Sequence, residues 1–528
     1  MELKLLKKAA RFAVIEICDG GKYHTLKDYH IFLNGKDFLV TDKCITSLQG
    51  LKPGGDYKIS VCEGAEGCEE VTCSNPLATL DLTTDDESFT VNVLELGAKG
   101  DGKTDDTAFL QAAIMACPEQ GRVLIPEGRY LTGPLFLKSG VNIELEKNAE
   151  IVADTCRENF PKLPGLLQSY DESLEYNLGT WEGNPLPMFA GIITGLDVSD
   201  ITIYGEGTIN GNASDDNWWK DPKKMVGAFR PRLVFLSHCK NVILQGITLK
   251  NSPSWTLHPY YSDNLGFYDL AIENPAQSPN TDGLDPESCS DVRVMGVRFT
   301  LGDDCIAIKS GKIYMAKNHK KPSENIHIRK CLMENGHGAV TVGSEMAGGI
   351  KNIVVEDCIF RRTDRGLRIK TRRGRGRDAV TDNIVFRNID MDNVKTPFVV
   401  NAFYFCDPDG KTGYVQSREK LPVDDRTPRI GKFVFENINA SNCHVAAAFF
   451  DGLPEEKIEE IVLSNVKISF AENAQKDCPA MSEGVEACSK RGIFARNVKK
   501  LVLKDVSITG YEGEMTEKIG VDETDEDL

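Results

Sequence analysis

Nowhere in the 528 residues do about eighteen apolar positions run together, the length a membrane-spanning helix requires. Positive charge is in short supply: 62 Lys and Arg stand against 79 Asp and Glu, a formal net charge of -17. That balance excludes a nucleic-acid or anionic-membrane binder for the chain as a whole, and makes any local concentration of Arg and Lys informative. Sixteen cysteines are scattered from Cys18 to Cys488 without a CxxC pair, so their spacing offers no zinc site. Cys62, Cys68 and Cys73 are the tightest group. Mostly free, buried thiols fit a reducing compartment. The basic start Met1–Lys8 is followed by Arg11 and Glu16, which interrupt the apolar core a signal peptide needs. A cytoplasmic setting is therefore expected.

What is present is globular in character, at 41% hydrophobic and 27% charged residues. The length exceeds one ordinary core unless the fold is a solenoid, which grows along one axis. Residues 1–83 alternate apolar and polar positions in short runs such as Ala13–Ile17 and Tyr57–Val61, separated by Asn34-Gly35 and Pro53-Gly54-Gly55. This predicts a small β-sandwich. Its stretch Leu48–Tyr57 resembles the E–F corner of fibronectin type III modules, which implies a binding or spacer role. Residues 84–90 read as a linker, 91–515 as the main domain, and the acidic 516–528 as a solvated tail. A helix over Thr107–Cys117, with Asp105 as N-cap, is placed to cover the open end of a sheet stack.

Beyond that helix the chain repeats itself. Units that begin with Asn or Asp and continue with alternating apolar residues start at Asn241, Asn264, Asp291, Asn325, Asn352 and Asn383, 23 to 34 residues apart. Each contains a second short strand. Such self-similarity marks stacked rungs. Neither a leucine consensus nor Trp-Asp blade ends occur, so the expected fold is all-β, a right-handed parallel β-helix behind the small sandwich.

Equivalent positions of successive rungs stack into a column. Asp282, the pair Asp303-Asp304, His337 between two glycines, and Arg368-Ile369-Lys370 end four consecutive units. Asp-Gly and Gly-Asp often mark turns only, but this combination at one place on four rungs is hard to obtain from turns alone. Two carboxylates in different protonation states are what glycosidic hydrolysis requires, one as acid and one to activate water. Crowded like charges raise at least one pKa. Adjacent Asp303 and Asp304 alternate sides in a regular strand, so a bend after Gly302 is needed. His337 is placed to hydrogen-bond a carboxylate. Between Arg361 and Arg377 nine basic residues face one acid, Asp364. In an acidic chain this favours an anionic polysaccharide, most simply a uronic acid polymer, held by carboxylate–guanidinium contacts.

Taken in order, Asn280-Thr281-Asp282, Gly302-Asp303-Asp304, Gly336-His337-Gly338 and Arg368-Ile369-Lys370 resemble the four signature motifs of the polygalacturonase family of glycoside hydrolases. The resemblance covers about residues 88 to 510. It implies cofactor-free and metal-independent hydrolysis of α-1,4-galacturonosyl linkages with inversion. Asp303 is then the general acid, Asp282 and Asp304 hold the attacking water, and His337 supports the acid. Arg368 and Lys370 are implied to grip a galacturonate carboxylate, with Asn280 and Tyr404 as further substrate contacts.

The sandwich and the long segment Cys156–Phe189 resemble bacterial exo-acting members, where inserted loops close one end of the cleft. Trp181, Trp218 and Trp219 are candidate sugar-stacking groups, His258 a candidate for a distal subsite, and Arg230 and Arg232 candidates for a terminal uronate. The partner expected is an acidic oligosaccharide; oligomeric state is not legible. Rival readings are a rhamnogalacturonan or xylogalacturonan hydrolase on the same scaffold, a pectate lyase, and an inactive carbohydrate-binding β-helix.

Overall fold

Each turn of the coil opens on an Asn or Asp in the left-handed backbone region: Asp200, Asn241, Asn264, Asp291, Asn325, Asn352 and Asn383 have φ between 54° and 59°. These residue types tolerate that region because their short polar side chains bond locally. Here they also bond along the stack. Asn264 donates to Asn241 (2.7 Å), Asn241 to Asp200 (2.9 Å), and Asn383 to Asn352 (2.9 Å). The recurring Asn and Asp of the sequence are thus the corners of a right-handed parallel β-helix.

In this computed structural model residues 1–63, 73, 75–168 and 175–527 are described. Cys68 and part of the segment 156–189 lie outside the described residues. Directly after each corner an apolar side chain points inward. Val242, Leu265, Val292, Ile326, Ile353 and Ile384 follow one another in parallel register, each at most 2% exposed. Burial of each contributes about 1.5–3 kcal/mol, so the stack is stabilised rung by rung. One long parallel sheet carries the corner strands. A second face is built by a four-stranded sheet ending at Leu257–Tyr260 and a seven-stranded sheet starting at Ile306–Ile308.

The helix Thr107–Ala116 buries Leu110, Ala113 and Ile114 at the first rung. Its N-cap is Asp106, not Asp105. The Asp106 carboxylate accepts the amides of Lys99 and Gly100 (2.7 and 2.9 Å), while Asp105 accepts that of Thr107 (2.9 Å).

At the N-terminus a three-stranded and a four-stranded antiparallel sheet form the small sandwich, ending with strand Ala78–Thr83. At its predicted corner the Lys52 amide donates to the Tyr57 hydroxyl (2.8 Å). Cys62 and Cys73 are joined in a disulfide, against the expectation of free thiols; thirteen other cysteines among the described residues are free. The sandwich is not a loosely tethered spacer. Phe12, Val14 and Ile45 pack on Tyr204, Tyr268 and Met295 of the long sheet. Wholly buried Glu16 accepts a 2.7 Å bond from Arg329 and lies 3.9 Å from Lys330.

The C-terminus also differs from the expected solvated tail. Glu512–Ile519 and Glu523–Asp527 are strands that extend the two faces in parallel register. Lys504 of the preceding strand lies 3.7 Å from Asp525, Lys457 pairs with Asp522, Lys518 within the tail pairs with Glu526 at 2.9 Å, and Met515 and Val521 pack on the core.

Candidate active site

The second face is interrupted where the acidic residues lie. Between Leu257–Tyr260 and Ile306–Ile308 the chain 284–287 joins its neighbours only through single bridges, at Leu284 and Glu287. The register Leu284–Ile306–Val340–Leu367 places Asp282, Asp304, Gly338 and Arg365 two residues before each pairing. Amide bonds follow it: Gly283 to the Asp304 carbonyl (3.0 Å), Cys305 to Gly338 (2.8 Å), Ala339 to Arg365 (2.9 Å). The column is therefore corrected at its fourth position. Arg365 stands in line with the aspartates, and Arg368 and Lys370 reach back from three and five residues farther along the strand.

Both carboxylates of the Asp303-Asp304 pair reach the cluster because the chain bends at Gly302 and Asp303. Only glycine fits at 302, since a Cβ there meets the Ala276 carbonyl oxygen at 1.9 Å. Asp282, Asp303 and Asp304 bring oxygens within 4.8 Å of one another, the one acidic grouping among the described residues close enough to share a cation. Asp304 already has cations on both oxygens: Arg368 at 3.2 Å and Lys370 at 2.8 Å. Asp303 has His337 at 3.3 Å.

These contacts pull the three acids apart. Burial drives the Asp282 carboxyl well above the usual aspartate range, and the neighbouring Asp303 adds to it. Burial also pushes Asp304 upward, but the charges of Lys370 and Arg368 overcome it and hold the carboxylate far below that range. At Asp303 burial is opposed by the His337 hydrogen bond and by the His337 and Lys370 charges, leaving it lowered. His337 is raised in turn by its bond to Asp303. Burial thus favours the protonated form of Asp282 while the two cations favour the ionised form of Asp304, the two states that acid–base hydrolysis of an acetal requires.

The other predicted residues divide. Tyr404 lies with the cluster, the Lys370 ammonium 5.7 Å from its ring centre. Asn280 borders it and accepts a 2.7 Å bond from Arg230. His258 does not line an open subsite: it is wholly buried, 3.0 Å from Glu287 and within 3.3 Å of the Arg232 guanidinium. Trp218 is core, enclosed by Phe160 and Phe189, and Trp219 donates to the Ser252 carbonyl. Trp181 stacks on Phe229 and covers Arg232, 4.6 Å from its ring, so both arginines sit beneath the inserted segment. The basic run also reads differently. Arg372 pairs with Asp407 and Asp409, Arg373 with Glu455, Arg375 with Asp407, and Arg377 with Asp425. Most of that charge is spent inside the chain because long basic side chains find acids on neighbouring loops before they find solvent.

Sequence reasoning passed over the buried network behind Asp282. Lys309 lies 3.9 Å from Asp282, 3.5 Å from Asp285 and 3.3 Å from Glu345, with the Trp255 ring at 4.4 Å. Burial raises Asp285 to about 7 and Glu287 to about 8. Neither oxygen of Asp285 has a hydrogen-bond partner among the described residues. A lysine directly after the apolar run Ile306-Ala307-Ile308 was the available signal.

A family model described as glycosyl hydrolases family 28 matches residues 120–489, and one described as rhamnogalacturonase A/epimerase, pectate lyase-like, matches residues 90–145. A "Probable polygalacturonase" of Vitis vinifera is 30% identical over 75% of this chain and 79% of its own. An exo-poly-alpha-D-galacturonosidase of Dickeya chrysanthemi is 26% identical over 80% of this chain and 78% of its own. The exopolygalacturonase of Thermotoga maritima superposes with a TM-score of 0.63 at 26% identity, covering 80% of this chain and 92% of the other. The family 28 exopolygalacturonase of Yersinia enterocolitica shares the fold over 99% of this chain and 98% of its own, with a TM-score of 0.70 at 20% identity. The three-carboxylate cluster lies inside the matched span, and on that extent of agreement the chain belongs to glycosyl hydrolases family 28.

Proposed function

We propose that the protein is an exo-acting galacturonidase that removes galacturonate from the ends of pectin-derived oligogalacturonides, with inversion and without an organic cofactor. The observation that carries this reading is the aspartate cluster, with Asp304 held between Arg368 and Lys370 and burial favouring the protonated form of Asp282. Asp303 has the most accessible side chain of the three, 23% exposed against 7% and 2%, and it meets the departing oxygen. Passing the proton from Asp282 to Asp303 creates the acid and the base in one step: Asp303 protonates the leaving group, and Asp282 with Asp304 orients and deprotonates water.

Stereochemistry follows from occupancy rather than distance. A separation within 4.8 Å lies nearer the roughly 5–5.5 Å of retaining pairs than the longer inverting spacing. Retention, however, needs a free carboxylate nucleophile. Asp304 has both oxygens held by cations, and Asp282, once its proton has passed to Asp303, is taken up as the base that accepts a proton from water, so water attacks. Exo action is supported by the segment around Trp181, which covers Arg232 and brings Gly183 against Glu345 and Lys312, closing one side of the cleft.

The test is digestion of defined oligogalacturonides with products resolved by length, and the new reducing end followed by proton NMR. Monomer alone and the β-anomer first are expected; a ladder of intermediate lengths sinks exo action, and an unsaturated product means a lyase. Release from rhamnogalacturonan but not from homogalacturonides moves the enzyme to the alternative substrate. We also read residues 1–83 as fibronectin type III-like, on the three-against-four strand arrangement and the Tyr57 corner; an experimental structure with another strand order overturns this. The thirteen thiols free among the described residues support a cytoplasmic setting against the single Cys62–Cys73 disulfide, and recovery of the native protein from the medium of intact cells refutes it.

A further inference from the structure

The cation expected to receive the substrate's carboxylates is already engaged: Arg368 and Lys370 close on Asp304. Arg365 is left, standing in register with Asp282 and Asp304 and separated from Asp304 by the side-chain-free Gly338. The residue is 8% exposed and borders an open cavity of about 480 Å³ shared with His337, Arg368, Phe405 and Met481. Rungs lie about 4.8 Å apart, so Arg365 sits two rungs, roughly 10 Å, beyond Asp304 on the side away from the covered Trp181 end. That is the reach of one or two sugar residues past the scissile bond.

Its own partners are few. The closest is the Cys478 carbonyl at 2.9 Å. Asp364 is 3.4 Å away and has its shorter contact, 2.9 Å, with Lys395, which also holds Asp477 at 3.0 Å. Arg368 and Asp477 are the other charges near it, with Asp304 farther off. Among the described residues, then, Arg365 has no ion pair closer than 3.4 Å, whereas Arg372, Arg373 and Lys370 each have one at 3.0 Å or less. Burial, reinforced by the Arg368 charge, lowers it to about 10, so an incoming anion relieves an unfavourable charge there.

We propose that Arg365 binds the carboxylate of a galacturonate on the acceptor side of the scissile bond and sets the preference for free acid over methyl ester in that part of the substrate. The inference rests on the galacturonidase reading. It is tested with trigalacturonate and the same trimer methyl-esterified on its two reducing-side residues, which differ in charge but leave through the same hydroxyl. Arg365→Gln should lower kcat/KM on the free trimer about 10–100-fold, mainly through KM, as loss of a charged hydrogen bond does, and leave the ester unchanged. Arg365→Lys should restore part of the preference. Equal loss on both substrates, which a merely structural anchor for the Cys478 loop would produce, overturns the proposal, as does an unchanged ratio. Wild-type protein that cleaves neither trimer refutes the galacturonidase reading instead. Titration of binding then still decides on Arg365: equal affinity for acid and ester overturns it.

Discussion

Replacing Lys370 by Met separates two roles for one side chain: holding Asp304 ionised, or holding the substrate. The ammonium lies 2.8 Å from Asp304 Oδ2 in a buried setting, where an effective dielectric of about 20 gives a gross attraction of about 6 kcal/mol. Desolvation offsets much of this, and opposite charges at such range typically move a carboxylate by about 1–3 pKa units. Arg368 remains at 3.2 Å in the variant. Asp304 is depressed in the folded wild type, so its ionised form is present above its folded pKa and is lost as pH falls through it. Weakening the clamp raises that pKa, and the acid limb of kcat/KM against pH should move up by about 1–3 units, because that profile reports groups of the free enzyme. Loss of one partner of a buried pair also costs about 3–5 kcal/mol of stability, so melting is followed to confirm that the variant is folded. A profile lowered by one constant factor, with its acid limb unmoved, refutes the clamp and returns Lys370 to the substrate.

Asp303→Asn should lower kcat by about 10²–10⁴-fold, far more than Tyr404→Phe; comparable losses undo the acid assignment. Glu287, raised to about 8 from 4.5, adds stability that is complete below about pH 4.5 and is lost as pH rises through about 8, up to about 5 kcal/mol at 1.36 kcal/mol per unit. Melting points should therefore fall between about pH 4.5 and 8, and Glu287→Gln should flatten the decline; an unchanged slope rejects it. Glu16→Gln removes the buried carboxylate from a cluster in which Arg329 keeps Glu356 and Asp357 at 3.5 and 3.4 Å and Lys330 keeps Asp357 at 3.6 Å, and should cost about 1–3 kcal/mol in urea unfolding. An unmoved midpoint means that docking of the N-terminal sandwich adds nothing to stability.

The rungs were legible because Asn and Asp do one local job at every corner, and a local job leaves a periodic trace. The four motifs were legible for the same reason: Gly302 and the glycines flanking His337 mark where backbone must come close. What escaped is what depends on registry. Arg365 and Arg368 are three residues apart, and no spacing rule says which stands beside Asp304. Lys309, Glu287 and His258 form one buried network drawn from different rungs, so none looks unusual in its own segment. The run from Arg361 to Arg377 misled because charge in sequence says nothing of the acids, such as Asp407 and Glu455, that the fold brings to meet it. The acidic C-terminus misled likewise, since its Asp522 and Asp525 meet Lys457 and Lys504 from earlier in the chain and its Val521 meets the core.

That internal pairing also governs how substrate arrives. With Arg372, Arg373, Arg375 and Arg377 each closed on a carboxylate, the groove sends little positive field into solvent, and the net charge of -17 dominates at a distance. A polyanion is then slowed on approach, a long one more than a short one, since more of its charge lies within the protein's field. Screening at physiological ionic strength shortens that field to about 8 Å. Added salt should therefore speed encounter with long polygalacturonate, the reverse of steered association, and barely affect a dimer. Selection by chain length begins before any sugar touches the groove.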